Sequence, residues 1–351
     1  MMHHLLPLAA LLLLSIITTE TKVVTSVEDC NEFFLQQTPP TIPGILEGGN
    51  IREQNRYKLI CQTFEDTRTF VTLYDTQNKI PVFSAAKFRG SAAGRPSHPW
   101  MIEPQLEDPD DVDNMRQADK NINYEHQAGD TDYNPYNQQG FDRGHLFPNS
   151  YGSNPTEKSS TFTLTNAVPQ NKRFNRGKWK KMELCVKRFL DENCINNNNR
   201  KEGFVVIGAK PSDSASSGSS LLNNNKINVP SVLWSAFCCY SHSQNKWLAG
   251  AHWGNNRHDD LNYLETKTLG ELLTTEGIDA FPGTRCPKDL TVPQLYSKCP
   301  FKSKKRKVIV SHKVPRKCVG KKIYCGAKKR NSNHKTCIFQ KKKRNLPGNT
   351  V

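Results

Sequence analysis

The chain has 351 residues, more than one compact domain of about 100 to 200 residues requires, so an additional segment is expected. Its formal net charge is +16, but Thr284–Val351 contains 21 lysines and arginines and one acidic residue, against 28 basic and 32 acidic residues elsewhere. The composition therefore excludes a uniformly basic protein and assigns the basicity to a C-terminal tail.

An apolar run of thirteen residues lies near the N-terminus, from Leu5 to Ile17. This length is typical of the apolar region of a secretory signal and falls short of the roughly 20 residues that cross a bilayer. We therefore expect a signal peptide over residues 1–21, although no cleavage site is evident. We also expect a secreted, extracellular protein without a stable membrane span. A membrane-anchored N-terminus is the weaker alternative.

Eleven cysteines follow this apolar run. In an exported chain such cysteines usually form disulfides, and an odd number leaves one free or bonded to a partner. Neither the connectivity nor the oligomeric state follows from the sequence. The cysteines are Cys30, Cys61, Cys185, Cys194, Cys238, Cys239, Cys286, Cys299, Cys318, Cys325 and Cys337.

Short segments rich in β-branched and aromatic residues follow a polar lead over residues 22–55. Tyr57–Cys61, Arg68–Tyr74 and Ile80–Phe83 predict two or three strands. The region from Glu103 to Tyr133 is acidic and contains the sequence EDPDDVD. It lacks the ligand order and the glycine of an EF-hand, which favours a solvated surface loop over a calcium site.

The second half of the chain predicts two helices and further strands. Apolar residues recur at helical spacing from Lys178 to about Glu192, and Thr268–Thr275 predicts a final helix. Thr161–Thr165 alternates polar and apolar residues, as a half-buried strand does. Other predicted segments are strands at Gly203–Ile207, Val232–Phe237 and Lys246–Ala249 and a loose loop at Ser212–Asn225.

The sequence FDRGHLFPNS, from Phe141 to Ser150, places an acid, a base, a glycine and an imidazole together. An imidazole with a pKa of about 6.5 accepts a proton at neutral pH, so His145 suits the activation of water. Arg143 stays cationic and can hold a phosphate oxygen, while Gly144 lets the backbone approach a bulky ligand. Taken alone, DRGH is more often structural than functional.

A second polar segment runs from TNAVPQ, which begins at Thr165, to NKRFNRGKW, which ends at Trp179. A histidine on one strand, a second strand and an amide at the start of a helix would place His145 and Asn175 on opposite sides of one cleft. With both motifs in order and thirty residues apart, the chain resembles the DNA/RNA non-specific endonucleases of the ββα-metal (His-Me finger) type from about Arg56 to Gly283.

The resemblance implies a role for each residue that matches the two motifs. It implies that His145 is the general base and that Asn175 is the single protein ligand of a Mg²⁺ ion otherwise coordinated by water. It also implies that Glu183 contacts the water shell of this ion and that Arg143 faces the phosphate.

The resemblance implies further residues around this site. Asp142 and Asn166 would support it, and an upstream arginine would act on the transition state. Arg95, in the sequence GRPSHPW, is the best match to that arginine, and Arg89 is the alternative.

The fold implied by the resemblance is α+β, with a central antiparallel sheet flanked by helices over residues 56–283 and a basic, cysteine-containing tail over residues 284–351. The implied reaction is hydrolysis of phosphodiester bonds in DNA and/or RNA with little sequence preference, leaving 5′-phosphates. A single cation with mostly water ligands suits Mg²⁺, with Mn²⁺ as the alternative, and can stabilise the charge that develops on the phosphate.

Two other clusters carry potential metal ligands but match no compact metal motif. The first lies in a turn-rich segment, which favours a surface loop, and comprises His252, His258, Asp259 and Asp260. In the second, export favours disulfides over zinc, and the members are Cys318, Cys325, His334 and Cys337. Trp234 and Trp247 are expected to fill the core of the sheet.

The tail contains two dense basic clusters, SKKRKV from Ser303 and KKKR from Lys341. Such clusters are nuclear localisation signals in cytosolic proteins, but behind a signal peptide we interpret them as a binding surface for nucleic acid. A solvated, disordered extension is the alternative. The predicted contact residues are Lys304, Lys305, Arg306, Lys307, Lys341, Lys342, Lys343 and Arg344.

Two classes of function are compatible with the sequence. The first is a secreted, Mg²⁺-dependent nuclease. The second is a catalytically inactive binder of extracellular polyanions, such as DNA or heparan-type chains, with an antimicrobial role as one form of it. The presence of His145, Asn175, Glu183 and Arg143 together favours the nuclease.

Overall fold

A large antiparallel sheet forms the centre of the protein. The computed structural model describes residues 23–133, 140–212, 221–222, 227–259, 261–296 and 299. In spatial order, the seven strands of the sheet are Val23–Val24, Tyr57–Phe64, Thr67–Asp75, Ile80–Phe88, Gly203–Lys210, Val232–Ser241 and Lys246–Asn255.

Six of these strands confirm the sequence prediction and are longer than predicted. The first two long strands are joined by a two-residue turn, in which Glu65 and Asp66 have φ values of 51° and 56°. Two successive residues with positive φ match the right-handed twist of paired strands, so this turn favours the tight antiparallel pairing that follows.

Both faces of the sheet are covered, so its strands are apolar almost throughout. In Gly203–Lys210, Val205 and Ile207 contribute to the core on one face, whereas Phe204 and Val206 contribute to the core on the other. The first face packs against the candidate functional site. The second face packs against the N-terminal segment and the last helix, which explains why residues 23–55 are an integral part of the fold.

The remaining elements are short. The α-helices are Asp130–Tyr133, Pro155–Ser160, Lys172–Phe174, Lys180–Asn193 and Leu269–Glu276, and a π turn spans Asn175–Trp179. The 3₁₀ turns are Val27–Phe33, Leu35–Gln37, Pro104–Leu106, Asn149–Tyr151 and Leu164–Asn166. The small two-stranded pairs are Leu46–Glu47 with Asn50–Ile51, Met101–Ile102 with Arg116–Gln117, Phe141–His145 with Ala167–Asn171, and Leu221–Leu222 with Ile227–Asn228.

Both predicted helices are present, with shifted boundaries. The longer one begins two residues later than predicted, at Lys180, because the π turn precedes it. The last helix has a capping box, in which the Thr268 hydroxyl accepts a hydrogen bond from the Glu271 backbone and the Glu271 carboxylate accepts one from the Thr268 backbone.

The predicted strand at Thr161–Thr165 is wrong. This segment is fully buried and leads into a 3₁₀ turn, and the strand lies further on, at Ala167–Asn171. The Thr161 hydroxyl donates to the Lys158 carbonyl at 2.9 Å and thereby closes the preceding helix. Local hydrogen bonds of this kind compete with strand pairing. The polar-apolar alternation of the sequence is compatible with either outcome.

The prediction of a solvated loop for Glu103–Tyr133 is correct only in part. The EDPDDVD stretch is exposed or half-buried. In contrast, Glu103, Asp130, Asp132 and Tyr133 are buried, because this region folds back against the core.

Disulfides are present, as predicted for the cysteines. Cys30 pairs with Cys61, which attaches the N-terminal segment to the sheet. The other bonds are Cys194–Cys239 and Cys238–Cys286. Among the described residues, Cys185 and Cys299 remain as free thiols.

The described structure continues past Gly283. Cys286 is disulfide-bonded to the sheet, and Val292 and Leu295 are buried against the core. The predicted signal peptide, most of the Ser212–Asn225 loop, the three cysteines after Cys299 and the basic clusters of the tail lie outside the described residues. Among the residues that are described, no helix has the length and apolarity needed to cross a membrane.

Candidate active site

The DRGH motif forms the end of a short strand that pairs with the segment after Asn166. We call Phe141–His145 the His145 strand and Ala167–Asn171 the Gln170 strand. They are antiparallel, and their register places Ala167 opposite His145 and Val168 opposite Gly144.

Gly144 is required by the packing between these two strands. A Cβ atom at this position would lie 2.0 Å from Oε1 and 2.6 Å from Cβ of the fully buried Gln170. The glycine therefore makes room for a neighbouring side chain, whereas the sequence suggested room for a ligand.

We expect Gly144→Ala to destabilise the protein by about 3 kcal/mol, because an extra methyl group here forces the two strands apart. Thermal unfolding of the variant measures this loss. The double variant Gly144→Ala/Gln170→Gly removes the clashing atoms and should regain part of the stability. A single variant as stable as the wild type would contradict the packing account.

An open cleft of about 820 Å³ lies beside the His145 strand. It is formed by this strand, by the loop that carries Arg95 and by the helix Lys180–Asn193, which we call the Glu183 helix. Six of the seven residues predicted for the site line this cleft, namely Arg95, Asp142, Arg143, His145, Asn175 and Glu183.

The seventh predicted residue, Asn166, lies beneath the cleft and is fully buried. Its Oδ1 accepts hydrogen bonds from the Phe147 backbone and the Ser84 hydroxyl, both at 2.9 Å. Its Nδ2 donates to the carbonyl oxygens of Phe147 and Thr161 at 3.0 and 3.1 Å. Asn166 thus ties the residues after His145 to the central sheet.

His145 is held between aromatic rings at the wall of the cleft. Its ring centroid lies 4.9 Å from that of Trp100 and 5.0 Å from that of Phe162. Burial, together with the charge of Arg95, lowers the pKa of His145 to about 3. Its Nε2 is buried and has no hydrogen-bond partner among the described residues. His145 is therefore a neutral imidazole at physiological pH.

Asn175 is positioned by the π turn that precedes the Glu183 helix. Phe174, just before this turn, and Trp179, its last residue, are both buried. The Lys180 N–H closes the wide turn by donating to the Asn175 carbonyl. Such single π turns are frequent at functional sites. The wide turn allows both aromatic side chains to reach the core while Asn175 stays at the cleft.

Asp142 fixes the orientation of Asn175. Its Oδ2 accepts a hydrogen bond from Asn175 Nδ2 at 3.1 Å, and both of its oxygens accept hydrogen bonds from Arg176, at 2.5 and 2.7 Å. Since the amide nitrogen of Asn175 is used in this way, its amide oxygen remains available as a ligand for a cation.

Glu183 lies across the cleft from the His145 strand and is half-buried. Burial raises the pKa of Glu183 to about 8, and nearby Trp179, Lys180 and Arg95 oppose that rise. The Tyr151 hydroxyl donates to the Glu183 carbonyl at 3.1 Å, which holds this part of the helix against the core. The carboxyl thus sits where a cation would favour its ionised form.

The two candidate arginines have different surroundings. The guanidinium group of Arg143 pairs with Asp130 and lies 5.3 Å from the centroid of the Tyr133 ring. Arg95 is exposed in the cleft, with its guanidinium 5.2 Å from the centroid of the Phe162 ring. Arg89, the alternative to Arg95, pairs with Glu157 at 3.7 Å.

Lys158 is a cleft residue that the sequence did not reveal. It is buried, and its Nζ donates to the Gly94 carbonyl at 2.9 Å and to the Asn149 carbonyl at 3.2 Å. This cation therefore anchors the loop that presents Arg95. Nothing in the sequence NPTEKSS distinguishes Lys158 from a surface lysine, so no motif would have found it.

A buried polar network supports the wall behind His145. Glu103 accepts hydrogen bonds from the hydroxyl groups of Thr163 and Thr165 at 2.8 and 3.2 Å. Burial raises the pKa of Glu103 from its ordinary value of 4.5 to about 7, and the two threonine hydroxyls oppose that rise. The folded protein therefore retains this proton at pH values where the unfolded chain has lost it.

This pKa predicts a pH-dependent stability difference for Glu103→Gln, which mimics the protonated carboxyl. The wild type should lose stability relative to the variant as the pH rises from 4.5 through 7. The full difference corresponds to about 3 kcal/mol, since one pKa unit is worth about 1.4 kcal/mol. Denaturant unfolding below and above this range measures it, and a pH-independent difference would contradict the assignment.

The side chains of the cleft fit a divalent cation that keeps most of its water. The Asn175 amide oxygen is the available neutral ligand, and the carboxyl groups of Glu183 and Asp142 line the same cleft. Within the described residues no group of three or more histidine, cysteine or acidic side chains is arranged to hold a metal. This set of oxygen atoms suits a hard cation and does not suit zinc.

The described members of the cluster around His252 form no metal site. His252 is buried in the sheet, contrary to the predicted surface loop, and its Nε2 lies 3.0 Å from the Thr266 hydroxyl oxygen. Asp259 pairs with Lys178. Trp234 is buried in the core as predicted, and Trp247 is partly buried against it.

Known proteins with similar sequences are nucleases or carry an endonuclease domain in their names. The sequence profile of the family described as DNA/RNA non-specific endonuclease matches residues 49–285. The human Endonuclease domain-containing 1 protein is 30% identical over 217 residues, which are 60% of this chain and 39% of that protein. The mouse protein of the same name is 28% identical over 254 residues, covering 70% and 44%.

More distant similarities are also present. A nuclease of Nostoc sp. is 30% identical over 100 residues, which are 28% of this chain and 32% of that protein. A crystal structure of EndoG with EndoGI aligns with a TM-score of 0.45 and 18% identity, covering 63% of this chain and 87% of that chain.

The chain spans less than half the length of the human and mouse relatives that it matches. The family profile, in contrast, covers more than half of this chain and includes every residue of the candidate site. The chain therefore belongs to the DNA/RNA non-specific endonuclease family.

Proposed function

We propose that the protein is a secreted, metal-dependent endonuclease that hydrolyses phosphodiester bonds in DNA and/or RNA with little sequence preference. The observation that carries this proposal is the neutral, half-buried imidazole of His145, which lines the same cleft as Asn175 and Glu183. An imidazole that is unprotonated at neutral pH can accept a proton from water.

In this mechanism the His145 imidazole accepts a proton from the attacking water, and its contacts with the rings of Trp100 and Phe162 keep it aligned. Arg143, held by Asp130, faces the phosphate group. Arg95 is exposed in the cleft and acts on the charge of the transition state. The expected products carry a 5′-phosphate.

We propose Mg²⁺ as the cofactor, with Mn²⁺ as a substitute. Asn175 would be its protein ligand, Asp142 would hold the Asn175 amide in place, and Glu183 would contact the water molecules around the ion. When bound, the ion stabilises negative charge on the phosphate and on the leaving oxygen.

Plasmid digestion tests this proposal directly. Purified protein should nick and linearise supercoiled DNA in Mg²⁺ or Mn²⁺, and EDTA should abolish the cleavage. If the plasmid stays intact in every divalent ion tried while the protein still binds it, the protein is a polyanion binder on a nuclease scaffold. The tail, with its excess of basic residues, is the feature that favours this second function.

The tail is proposed to capture the substrate, because the rest of the chain has a small excess of acidic residues and attracts phosphates weakly at long range. The two basic clusters that begin at Ser303 and Lys341 would supply the contacts. Truncation should spare residues up to 301, since Cys286 and Leu295 belong to the folded part.

We expect deletion of residues 302–351 to weaken DNA binding and to flatten its salt dependence. Each phosphate contact that is lost lowers the slope of log K against log salt by about 0.9 for duplex DNA. Fluorescence anisotropy over a salt series measures this change. Cleavage of a short substrate at saturating concentration should persist, and an unchanged salt dependence would show that the tail takes no part in binding.

Secretion is proposed from the apolar segment Leu5–Ile17. The three disulfides are compatible with an oxidising compartment. Detection of the protein, cleaved near Thr18–Ser26, in the medium of expressing cells would support this localisation, and its retention in the cytosol would contradict it.

A further inference from the structure

A second groove lies on the other side of the π turn from the catalytic cleft. It has a volume of about 420 Å³ and is lined by residues of the two segments Arg173–Lys181 and Arg257–Asn262. We call it the Arg257 groove. Among the described residues, its lining includes five lysines and arginines and one acidic residue, Asp259.

Two of these cations are available to a ligand. Lys178 pairs with Asp259, and Arg176 pairs with Asp142. Arg173 and Arg257 are exposed, and neither guanidinium group has an ion-pair partner within the described part of the chain. Unpaired, exposed arginines in a chain that is slightly acidic outside its tail create a local surface for anions.

The Arg257 groove adjoins the catalytic cleft at Arg176, which lines both. Asp142 holds Arg176 at this boundary and also orients Asn175. A chain of phosphate groups that passes the candidate active site would therefore reach Arg173 and Arg257 next.

An exposed aromatic side chain lies beside the Arg257 groove. Tyr263 follows the groove residue Asn262, is 40% exposed and stacks on Tyr296 with a centroid distance of 4.5 Å and an interplanar angle of 13°. The Lys181 Nζ donates to the Asn262 carbonyl at 3.1 Å and lies 5.9 Å from the Tyr296 ring centroid. These contacts fix Tyr263 as a rigid platform next to the cations.

We propose that the Arg257 groove and Tyr263 bind the single-stranded flank of a nucleic-acid substrate. Arg173 and Arg257 contact its phosphates, and a base outside the scissile bond stacks on Tyr263. Basic grooves with adjacent aromatic platforms bind single strands in this way, with little preference for sequence. This inference rests on the proposed function, since it extends the substrate path away from the catalytic cleft.

Stacking distinguishes this ligand from other polyanions. A sulfated glycan offers charges but no flat aromatic face, and a duplex keeps its bases paired and stacked on one another. Only an unpaired nucleotide uses both the arginines and Tyr263. The presence of both features at one surface therefore favours single-stranded nucleic acid.

The test uses full-length protein with His145→Ala, so that binding is measured without cleavage. The probes are a labelled oligothymidylate and an abasic deoxyribose-phosphate strand of the same length, over a range of salt concentrations. Arg173→Glu/Arg257→Glu changes the charge of the groove. Arg200→Glu/Lys246→Glu is the matched control, because both residues are exposed and Lys246 is at the opposite end of the strand Lys246–Asn255.

The groove variant is expected to weaken both probes and to lower the salt slope by about 1.4, since each phosphate contact on a single strand contributes about 0.7. The control variant should keep the parent slope. Tyr263→Ala should bind oligothymidylate about tenfold more weakly and the abasic strand unchanged, whereas Tyr263→Phe should match the parent.

Two results would overturn the inference. One is a groove variant that behaves like the control variant. The other is Tyr263→Ala binding that is unchanged for both probes or weakened equally for both, as for a surface that recognises charge alone, such as a site for sulfated glycans. Because the protein carries His145→Ala, these results are independent of whether the wild type cleaves plasmid DNA.

Discussion

Replacement of His145 by alanine should lower kcat for phosphodiester cleavage by about 10²–10⁴-fold, the usual contribution of a general base. His145 is the one histidine among the described residues that line the cleft, and its lowered pKa leaves the imidazole neutral and able to accept a proton. Without it, the attacking water has no adjacent base. Initial rates of plasmid nicking under saturating substrate measure the loss.

Two variants separate catalysis from folding. His145→Phe keeps an aromatic ring between Trp100 and Phe162 but has no basic nitrogen, so it should be as inactive as the alanine variant. His242→Ala removes an exposed histidine outside the cleft and should be fully active. Retention of wild-type activity in folded His145→Ala would remove His145 from the mechanism.

Asn175→Ala should produce the second large effect, because it removes the proposed protein ligand of the cation. We expect a loss of about 10²-fold or more in kcat/KM, in the upper range for damage to a metal site. The metal concentration needed for half-maximal activity should rise as well. Binding of Mn²⁺, followed by electron paramagnetic resonance without substrate, provides a readout that does not depend on activity.

The control for this variant is Asn197→Ala, which changes an exposed asparagine away from the cleft. It should bind Mn²⁺ and cleave DNA like the wild type. If Asn175→Ala binds Mn²⁺ as tightly as this control does, Asn175 is not the ligand, and the proposed metal site is in the wrong place.

Much of the fold was predictable because its strands are apolar on both faces and separated by clear turns. The long strands at Tyr57–Phe64 and Gly203–Lys210 illustrate this, since β-branched and aromatic residues fill them. The strand predicted at Thr161–Thr165 failed because its hydroxyl groups bond to Lys158 and Glu103. Polar-apolar alternation does not indicate which hydrogen-bond partners these hydroxyl groups find in the folded chain.

The candidate site was predictable where its residues lie within two short motifs. His145 and Asn175 line one cleft because the Gln170 strand pairs with the His145 strand and leads into the π turn. No sequence pattern indicates that Arg143 pairs with Asp130. None indicates that Lys158 anchors the loop that carries Arg95. Both contacts join segments that only the folded chain brings together.

Gly144 is the residue whose role in the structure differs most from the role expected from the sequence. In the sequence, a glycine between Arg143 and His145 suggested close approach of a ligand. In the structure, the missing Cβ is matched by the buried side chain of Gln170. Gly144 thus serves the packing of the two strands, and the positions of Arg143 and His145 depend on that packing.

Cleavage in water enriched in ¹⁸O tests the central claim most directly. If the protein hydrolyses phosphodiester bonds in this cleft, single-turnover digestion of an oligonucleotide in Mg²⁺ should place one ¹⁸O atom in the 5′-phosphate of the product, and His145→Ala should yield almost no product. Mass spectrometry of the fragments reads this out. An intact oligonucleotide with wild-type protein, or equal ¹⁸O incorporation with His145→Ala, would contradict the account.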